Sequence, residues 1–329
     1  MMGWIASLAV VFSGCGGGSA QKPQADILRL GAYSVVKEAF HDGVIPAFTK
    51  HWKTKTGRDV AFEENYNASG AQARAIKAGL PSDIAVLSLE DDVVTLVKAD
   101  LVKADWKSGP NKGMITNSLV VIGYRDGNPK AIADWSDLEK PGVGVLYPDP
   151  KTSGGAKWNV SAIYGAALLK SKSDPKSAGV SLGNVQKNVV NMDASGRQSV
   201  ATFERGTGDA LVTYENELLL RKKSGKSIPY VIPPRTLLIE GPAALVEANI
   251  AKHGNRELAD AFLAFLLSAE GQGILADFGF RPIDPEVPDK TGQPLPQELF
   301  RISTLGGWAK VNADVFGPKG IWTEIFLGK

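Results

Sequence analysis

Cysteine is nearly missing from this sequence: among 329 residues there is one, Cys15. A lone thiol excludes an intrachain disulfide, a CxxC redox pair and a thiolate zinc cluster. Histidine is scarce as well. The 3 present, His41, His51 and His253, stand far apart in no metal-ligand spacing, so they read as surface or helix-packing residues and no metal is expected. No charge sign dominates. Against 37 Lys and Arg stand 35 Asp and Glu, a formal net of +2, which gives no field large enough for nucleic acid or an anionic membrane surface. The 7 tryptophans are scattered rather than interleaved with basic residues, unlike a platform for stacked bases. No GxxxxGK[ST] phosphate loop is present, so the chain is not a P-loop ATPase. Past the N-terminus no apolar run is long enough to cross a bilayer.

The N-terminus itself is informative. Trp4 to Phe12 is a short apolar run followed by Ser13-Gly14-Cys15, the pattern of a secretory signal that ends in a bacterial lipobox. Phe12 stands where leucine is usual, and no Lys or Arg precedes the run. This pattern predicts lipidation at Cys15 and an exported protein, periplasmic or at the cell surface. Gly16 to Ala25 is small and polar, a flexible spacer. Residues 1–25 are therefore read as lipoprotein signal and spacer.

Length alone suggests about two lobes. Ile27 to Tyr33 reads as a strand, and Lys37 to Thr56 spaces Phe40, Val44, Ile45, Phe48 and Trp52 as a helix requires. Asp59–Tyr66 and Asp83–Leu87 read as strands, with Ala71–Ala78 and Asp91–Lys98 as helices. The alternation implies an α/β fold with mostly parallel sheets flanked by helices. It restarts at Leu119–Tyr124 and continues through Val143–Tyr147, a helix over Ala156–Lys170, another near Gln198–Glu204, and the strand Ala210–Tyr214. Tyr230–Ile239 is extended but broken by Pro233 and Pro234, and Glu257–Phe278 is helical. Chain crossings are expected near residues 116 and 235. They divide the chain into a first lobe of residues 26–116 and 236–329 and a second of residues 117–235, with the cleft between them as the default ligand site. The tail, Trp308–Lys329, is expected to wrap back on the first lobe.

Three segments place small polar residues and glycine where a strand hands over to a helix: Asn67-Ala68-Ser69-Gly70, Thr152-Ser153-Gly154-Gly155 and Asp193-Ala194-Ser195-Gly196-Arg197. A helix start presents unpaired N–H groups and the positive end of the helix dipole, so it holds an anion without a formal cation. Taken singly, each segment also fits an ordinary helix cap or turn.

The run Pro148-Asp149-Pro150-Lys151-Thr152-Ser153-Gly154-Gly155-Ala156-Lys157-Trp158-Asn159 closely resembles the signature of periplasmic sulfate-binding proteins, as do Ala68–Arg74, Gly208–Glu217 and Pro233–Glu240. The resemblance spans roughly residues 27 to 285. It implies a two-lobed periplasmic binding protein fold of type II, hinged by two crossing segments. It also implies a non-enzymatic subunit that captures sulfate, possibly thiosulfate, and delivers it to the permease of an ABC importer. By position, Ser34 offers a backbone N–H, Ser69 its N–H and hydroxyl, and Ser153, Gly154 and Gly155 the central nest. Gly196 falls on the family's third contact, and Tyr214 stands where many members carry a tryptophan. No cofactor is implied, and a one-to-one receptor implies a monomer.

Sulfate accepts hydrogen bonds and donates none, so a cage made only of donors favours it over protonated phosphate. A carboxylate in the cage reverses that choice. Asp149 and Asp193 read as turn or capping residues, and Arg74 and Arg197 as braces behind the loops rather than partners of the anion. Other tetrahedral oxyanions, namely molybdate, tungstate and phosphate, stay open, as does a sensing role on the same fold. From another class, Gly179-Val180-Ser181-Leu182-Gly183 matches the G-x-S-x-G elbow of serine hydrolases, with Asp193 and His253 downstream. The polar stretch before Ser181 lacks the buried strand such an elbow needs.

Overall fold

The structure, a computed structural model, describes residues 26–109 and 111–328. The expected signal, spacer and lipidation site at Cys15 lie outside the described residues.

Asp26–Tyr33 is the centre of the first half-sheet, running parallel to Val60–Asn67 on one side and to Ile84–Val86 on the other. Alternation explains the outer strand: Val60, Phe62, Glu64 and Tyr66 turn toward the helices while their neighbours face solvent. In the second half-sheet, Val145–Leu146 runs parallel to both Ala210–Tyr214 and Val189–Asn191. Two strands of 11 residues each, Met114–Tyr124 and Arg235–Leu245, pair antiparallel with one another and serve both halves. Met114 to Leu119 pairs with the other long strand, and Val120 to Tyr124 pairs with Ala210–Tyr214. Ala243 to Leu245 in turn pairs with Ile84–Val86. Leu119, Val120, Val121 and Ile122 are buried without exposure, because a strand covered on both faces needs a continuous apolar run rather than alternation. This is the two-lobed α/β architecture of type II binding proteins, joined by two crossing strands.

The outer helices are held by aromatic packing. Phe48 meets Phe262 edge to face at 5.0 Å and Phe265 at 5.5 Å, which clamps Ile45–Thr56 and Arg256–Leu267 over the first half-sheet. Such pairs contribute roughly 0.5–1.5 kcal/mol each beyond their area burial.

Three elements differ from the sequence expectation. The helix over Lys37–Thr56 is not continuous: a wide π turn, Ala39–Val44, precedes Ile45–Thr56. Pro46 lacks an N–H and its ring crowds the carbonyl one turn back, so the ladder loosens there. Glu257–Phe278 is two helices meeting at 63°, Arg256–Leu267 and Ala269–Asp277. Ser268 ends the first in an extended conformation and caps the second by accepting from the Gly271 N–H. The tail packs on more than the region read as the first lobe, where its helix Gly307–Val311 touches Glu90–Val97. Trp308 stacks edge to face on Trp158 at 4.7 Å, and the Trp322 indole donates to the Tyr147 hydroxyl at 3.3 Å. Ile321 fills the space above Gly179, where an added Cβ would lie 2.3 Å from its Cδ1. The tail thus also rests on Gly154–Lys170 and Pro175–Lys187, helices of the region read as the second lobe.

Pro175–Lys187 also disposes of the hydrolase pattern, since Ser181 sits in the middle of this helix rather than on a strand-to-helix turn. Asp193 accepts from the hydroxyls of Ser199 and Thr202, while His253 is bonded to Asp83 at 2.6 Å. The three residues do not meet.

Candidate anion-binding site

Five helical starts converge where the two half-sheets face each other. Ser34 opens a short 3-10 turn directly after Asp26–Tyr33, and Ser69 opens the helix Ser69–Lys77. Gly154 and Gly155 open Gly154–Lys170, with Ser153 as N-cap. Gly196 opens Gly196–Glu204, and Tyr214 is the N-cap of Glu215–Lys223. First-turn N–H groups have no carbonyl one turn back to bond, so each start points unspent donors outward.

Ser34, Ser69, Ser153, Gly155, Gly196 and Tyr214 line one small enclosed cavity. Gly154 stands behind its wall. A Cβ on Gly154 would lie 2.8 Å from Ser88 Oγ and 3.0 Å from Leu89 Cγ, so only glycine permits the two halves to approach this closely. Other contacts across the cleft are direct: the Trp158 indole donates to the Ser88 carbonyl at 2.8 Å, and Ser88 Oγ lies 2.7 Å from the Tyr214 hydroxyl.

Hydrogen bonds within the protein engage two of the expected donors. The Ser69 hydroxyl donates to Asp92 Oδ2 at 2.5 Å and accepts from the Ser88 N–H at 2.8 Å, so it is spent within the protein. The Ser153 N–H is taken by the Asp149 carbonyl at 2.9 Å, and its hydroxyl makes no capping bond to its own helix. The Ser153 Oγ is thus left uncommitted at the cap, with Gly154 and Gly155 at the first two helical positions after it.

Charge is kept out of the wall. Asp149 is bonded to the Lys151 N–H at 2.8 Å, and Asp193 holds the two hydroxyls named above; neither carboxylate lines the cavity. Asp92 sits behind Ser69, where burial lifts its carboxyl to about 6 against the opposing Ser69 hydrogen bond. Arg197 reaches Glu38 at 2.5 and 2.7 Å and Glu217 at 2.9 Å. It thereby ties the loop after Ser34 to the opposite half without touching the cavity. Burial raises the Glu38 carboxyl, but Arg197 outweighs it and leaves Glu38 below its ordinary value. Arg74 is exposed and borders an outer groove beside Gly70 and Asp92.

The sequence reading missed Ser88, Asn159 and Thr213, which also line the cavity. Ser88 follows the buried strand Ile84–Val86 just before the helix Glu90–Val97, the same strand-to-helix position as the three recognised segments but without a glycine to mark it. Asn159 is a buried polar residue in a helix buried over most of its length. Its Nδ2 donates to the Val212 carbonyl at 2.8 Å, and its Oδ1 has no partner.

A two-lobed body that closes a neutral cavity at converging helix starts defines a solute-binding protein. A sequence model described as bacterial extracellular solute-binding protein matches residues 28–281. The chain is 39% identical to a sulfate-binding protein of Synechococcus elongatus over 94% of its own length and 88% of the relative's. It is 33% identical to a thiosulfate-binding protein of Pseudomonas aeruginosa over 97% and 98% of the two chains. The solved sulfate-binding protein SubI of Mycobacterium tuberculosis H37Rv superposes with a TM-score of 0.82 at 36% identity, covering 89% of this chain and all of that one. The chain belongs to the bacterial extracellular solute-binding proteins, in the group of the sulfate- and thiosulfate-binding proteins.

Proposed function

We propose that this protein captures sulfate, and thiosulfate as the related ligand, between its lobes and delivers it to the permease of an ABC importer. The observation that carries this reading is a closed cavity lined by helix-start N–H groups and hydroxyls, with neither carboxylate nor cation in its wall. Such a cavity stabilises a dianion by dipoles and donors alone, and it leaves no buried charge unpaired when empty. The sulfate- and thiosulfate-binding relatives support the same ligand class.

Ser34, Ser69, Gly154, Gly155 and Gly196 give backbone N–H donors in this reading, and Ser153 and Tyr214 give hydroxyls. Residues 26–116 and 236 to about 297 form the first lobe and residues 117–235 the second, with the tail packed on both. Closure bends the two crossing strands, and the permease reads the closed shape. Cys15 carries the lipid anchor, and the receptor acts as a monomer without nucleic acid or metal.

Calorimetric titration of the body after Cys15 with sulfate, thiosulfate, molybdate, tungstate and phosphate tests the reading. One-to-one binding led by sulfate or thiosulfate is expected. A preference for molybdate or tungstate, or no binding at all, overturns it.

A further inference from the structure

The helix Glu215–Lys223 belongs to the region read as the second lobe, yet it meets the first lobe at both of its ends. At its start the buried Glu215 carboxylate accepts from Arg281 at 2.7 and 2.9 Å. Arg281 is fixed to the crossing strand Met114–Tyr124: its N–H donates to the Asn117 carbonyl at 2.9 Å, and its carbonyl accepts from the Asn117 N–H at 3.2 Å. Midway, Gly279 fits against Asn216 and Leu219. Its φ of +85° is in the left-handed region, and a Cβ there would lie 2.8 Å from Leu219 Cβ. At the far end the Lys223 ammonium donates to the Asp277 carbonyl at 3.0 Å and stands 4.6 Å from the centre of the Phe278 ring. Phe278 is itself seated in the first lobe, where a Cβ on Gly43 would lie 2.7 Å from its Cε2. Neither Lys223 nor any of these first-lobe partners lines the anion cavity.

The two ends respond differently to lobe movement. Arg281 sits at the crossing strands, so its bond to Glu215 lies near the pivot and moves little. Lys223 lies eight residues further along the helix, about 12 Å away at 1.5 Å per residue. A rigid-body rotation of about 15° about the pivot carries that end roughly 3 Å. Such a shift exceeds the reach of a hydrogen bond and lifts the ammonium off the ring. Asp277 is the last residue of Ala269–Asp277, so Lys223 places a cation from one lobe on the negative end of a helix in the other.

We infer that Lys223, clasping the Asp277 carbonyl and the Phe278 ring, is a closure latch that prolongs retention of a bound anion without touching it. The inference rests on the anion-capture reading and its lobe boundaries. A contact made only in the shut form adds to the free energy of closure, so it slows release of every ligand by the same factor and leaves capture by the open form unchanged.

The test follows release of radiolabelled sulfate and thiosulfate into excess unlabelled anion, with the unliganded Tm beside it, for wild type and three variants. Lys223→Met keeps the stem over Phe278 but removes the charge and the donor, and Lys223→Glu sets a carboxylate against the helix end. Lys222→Met, at the exposed neighbouring lysine, is the control. Lys223→Met is expected to release both anions about three- to tenfold faster by one common factor, and Lys223→Glu faster still. Association rates, the control and an unliganded Tm within about 2 °C of wild type should not change. Unchanged release in both Lys223 variants overturns the inference. So does a factor that differs between the two anions, which would mean an effect inside the cavity, or an unliganded Tm that falls as far as the liganded one, which would mean a contact that persists when the lobes open. Wild type that retains neither anion overturns the capture reading itself, and this inference with it.

Discussion

Replacing Gly154 with alanine separates closure from folding. The backbone of Gly154 lies outside the left-handed region, so alanine is conformationally acceptable, and in a helix it is the better former. The obstacle is across the cleft. An added methyl carbon would meet Ser88 Oγ at 2.8 Å, Ser88 Cβ at 3.0 Å and Leu89 Cγ at 3.0 Å, all on the opposite lobe. Overpacking of this kind costs about 1–3 kcal/mol. The strain exists only when the lobes are shut, so it subtracts from the free energy of closure and raises the apparent Kd for sulfate by about 5- to 150-fold. The unliganded Tm should stay within about 2 °C of wild type. Calorimetry gives the first quantity and thermal unfolding with and without sulfate gives the second. A Kd within about twofold of wild type, or an unliganded Tm that falls as far as the liganded one, refutes the argument that Gly154 serves interlobe contact.

Three further perturbations have definite outcomes. Gly196→Ala adds a methyl that meets only Val35 Cγ2 at an ordinary 3.7 Å; sulfate affinity should stay within about twofold, and loss of binding in calorimetry contradicts the assigned geometry. Arg197→Met leaves the buried Glu217 carboxylate, 1% exposed, without its cation, which should destabilise the protein by about 3–5 kcal/mol in urea unfolding; adding Glu217→Gln should restore most of this, and no recovery counts against an ion-pair origin. Burial lifts the Asp92 carboxyl from the ordinary carboxylate range to about 6, so the folded chain holds this proton more tightly than the unfolded chain. Its contribution to stability is full below the ordinary carboxylate range and lost as pH rises through about 6; Asp92→Asn should flatten that part of the urea midpoint's pH profile between about 4 and 7, and an unaltered profile excludes the assignment.

Local physics made much of this protein readable from its residues. Strands such as Asp26–Tyr33 and Ala210–Tyr214 and helices such as Glu90–Val97 follow from apolar period and turn chemistry within a few residues of one another. The helix-start segments at Ser69, Gly154 and Gly196 were legible for the same reason, because capping residues and glycines act on the backbone next to them. Other features were beyond local reading. Whether the Ser69 hydroxyl faces the ligand depends on Asp92, 23 residues away, and Tyr214 finds Ser88 across 126 residues. The tail seats Trp308 on Trp158 and Trp322 on Tyr147, long-range contacts that no period in the tail records. A hydrogen bond is decided by which donor arrives within about 3 Å of which acceptor. Sequence sets the inventory of donors and the places where helices begin, and the crossing of two long strands, which brings the halves face to face, decides which donors are spent inside the protein and which remain for an anion.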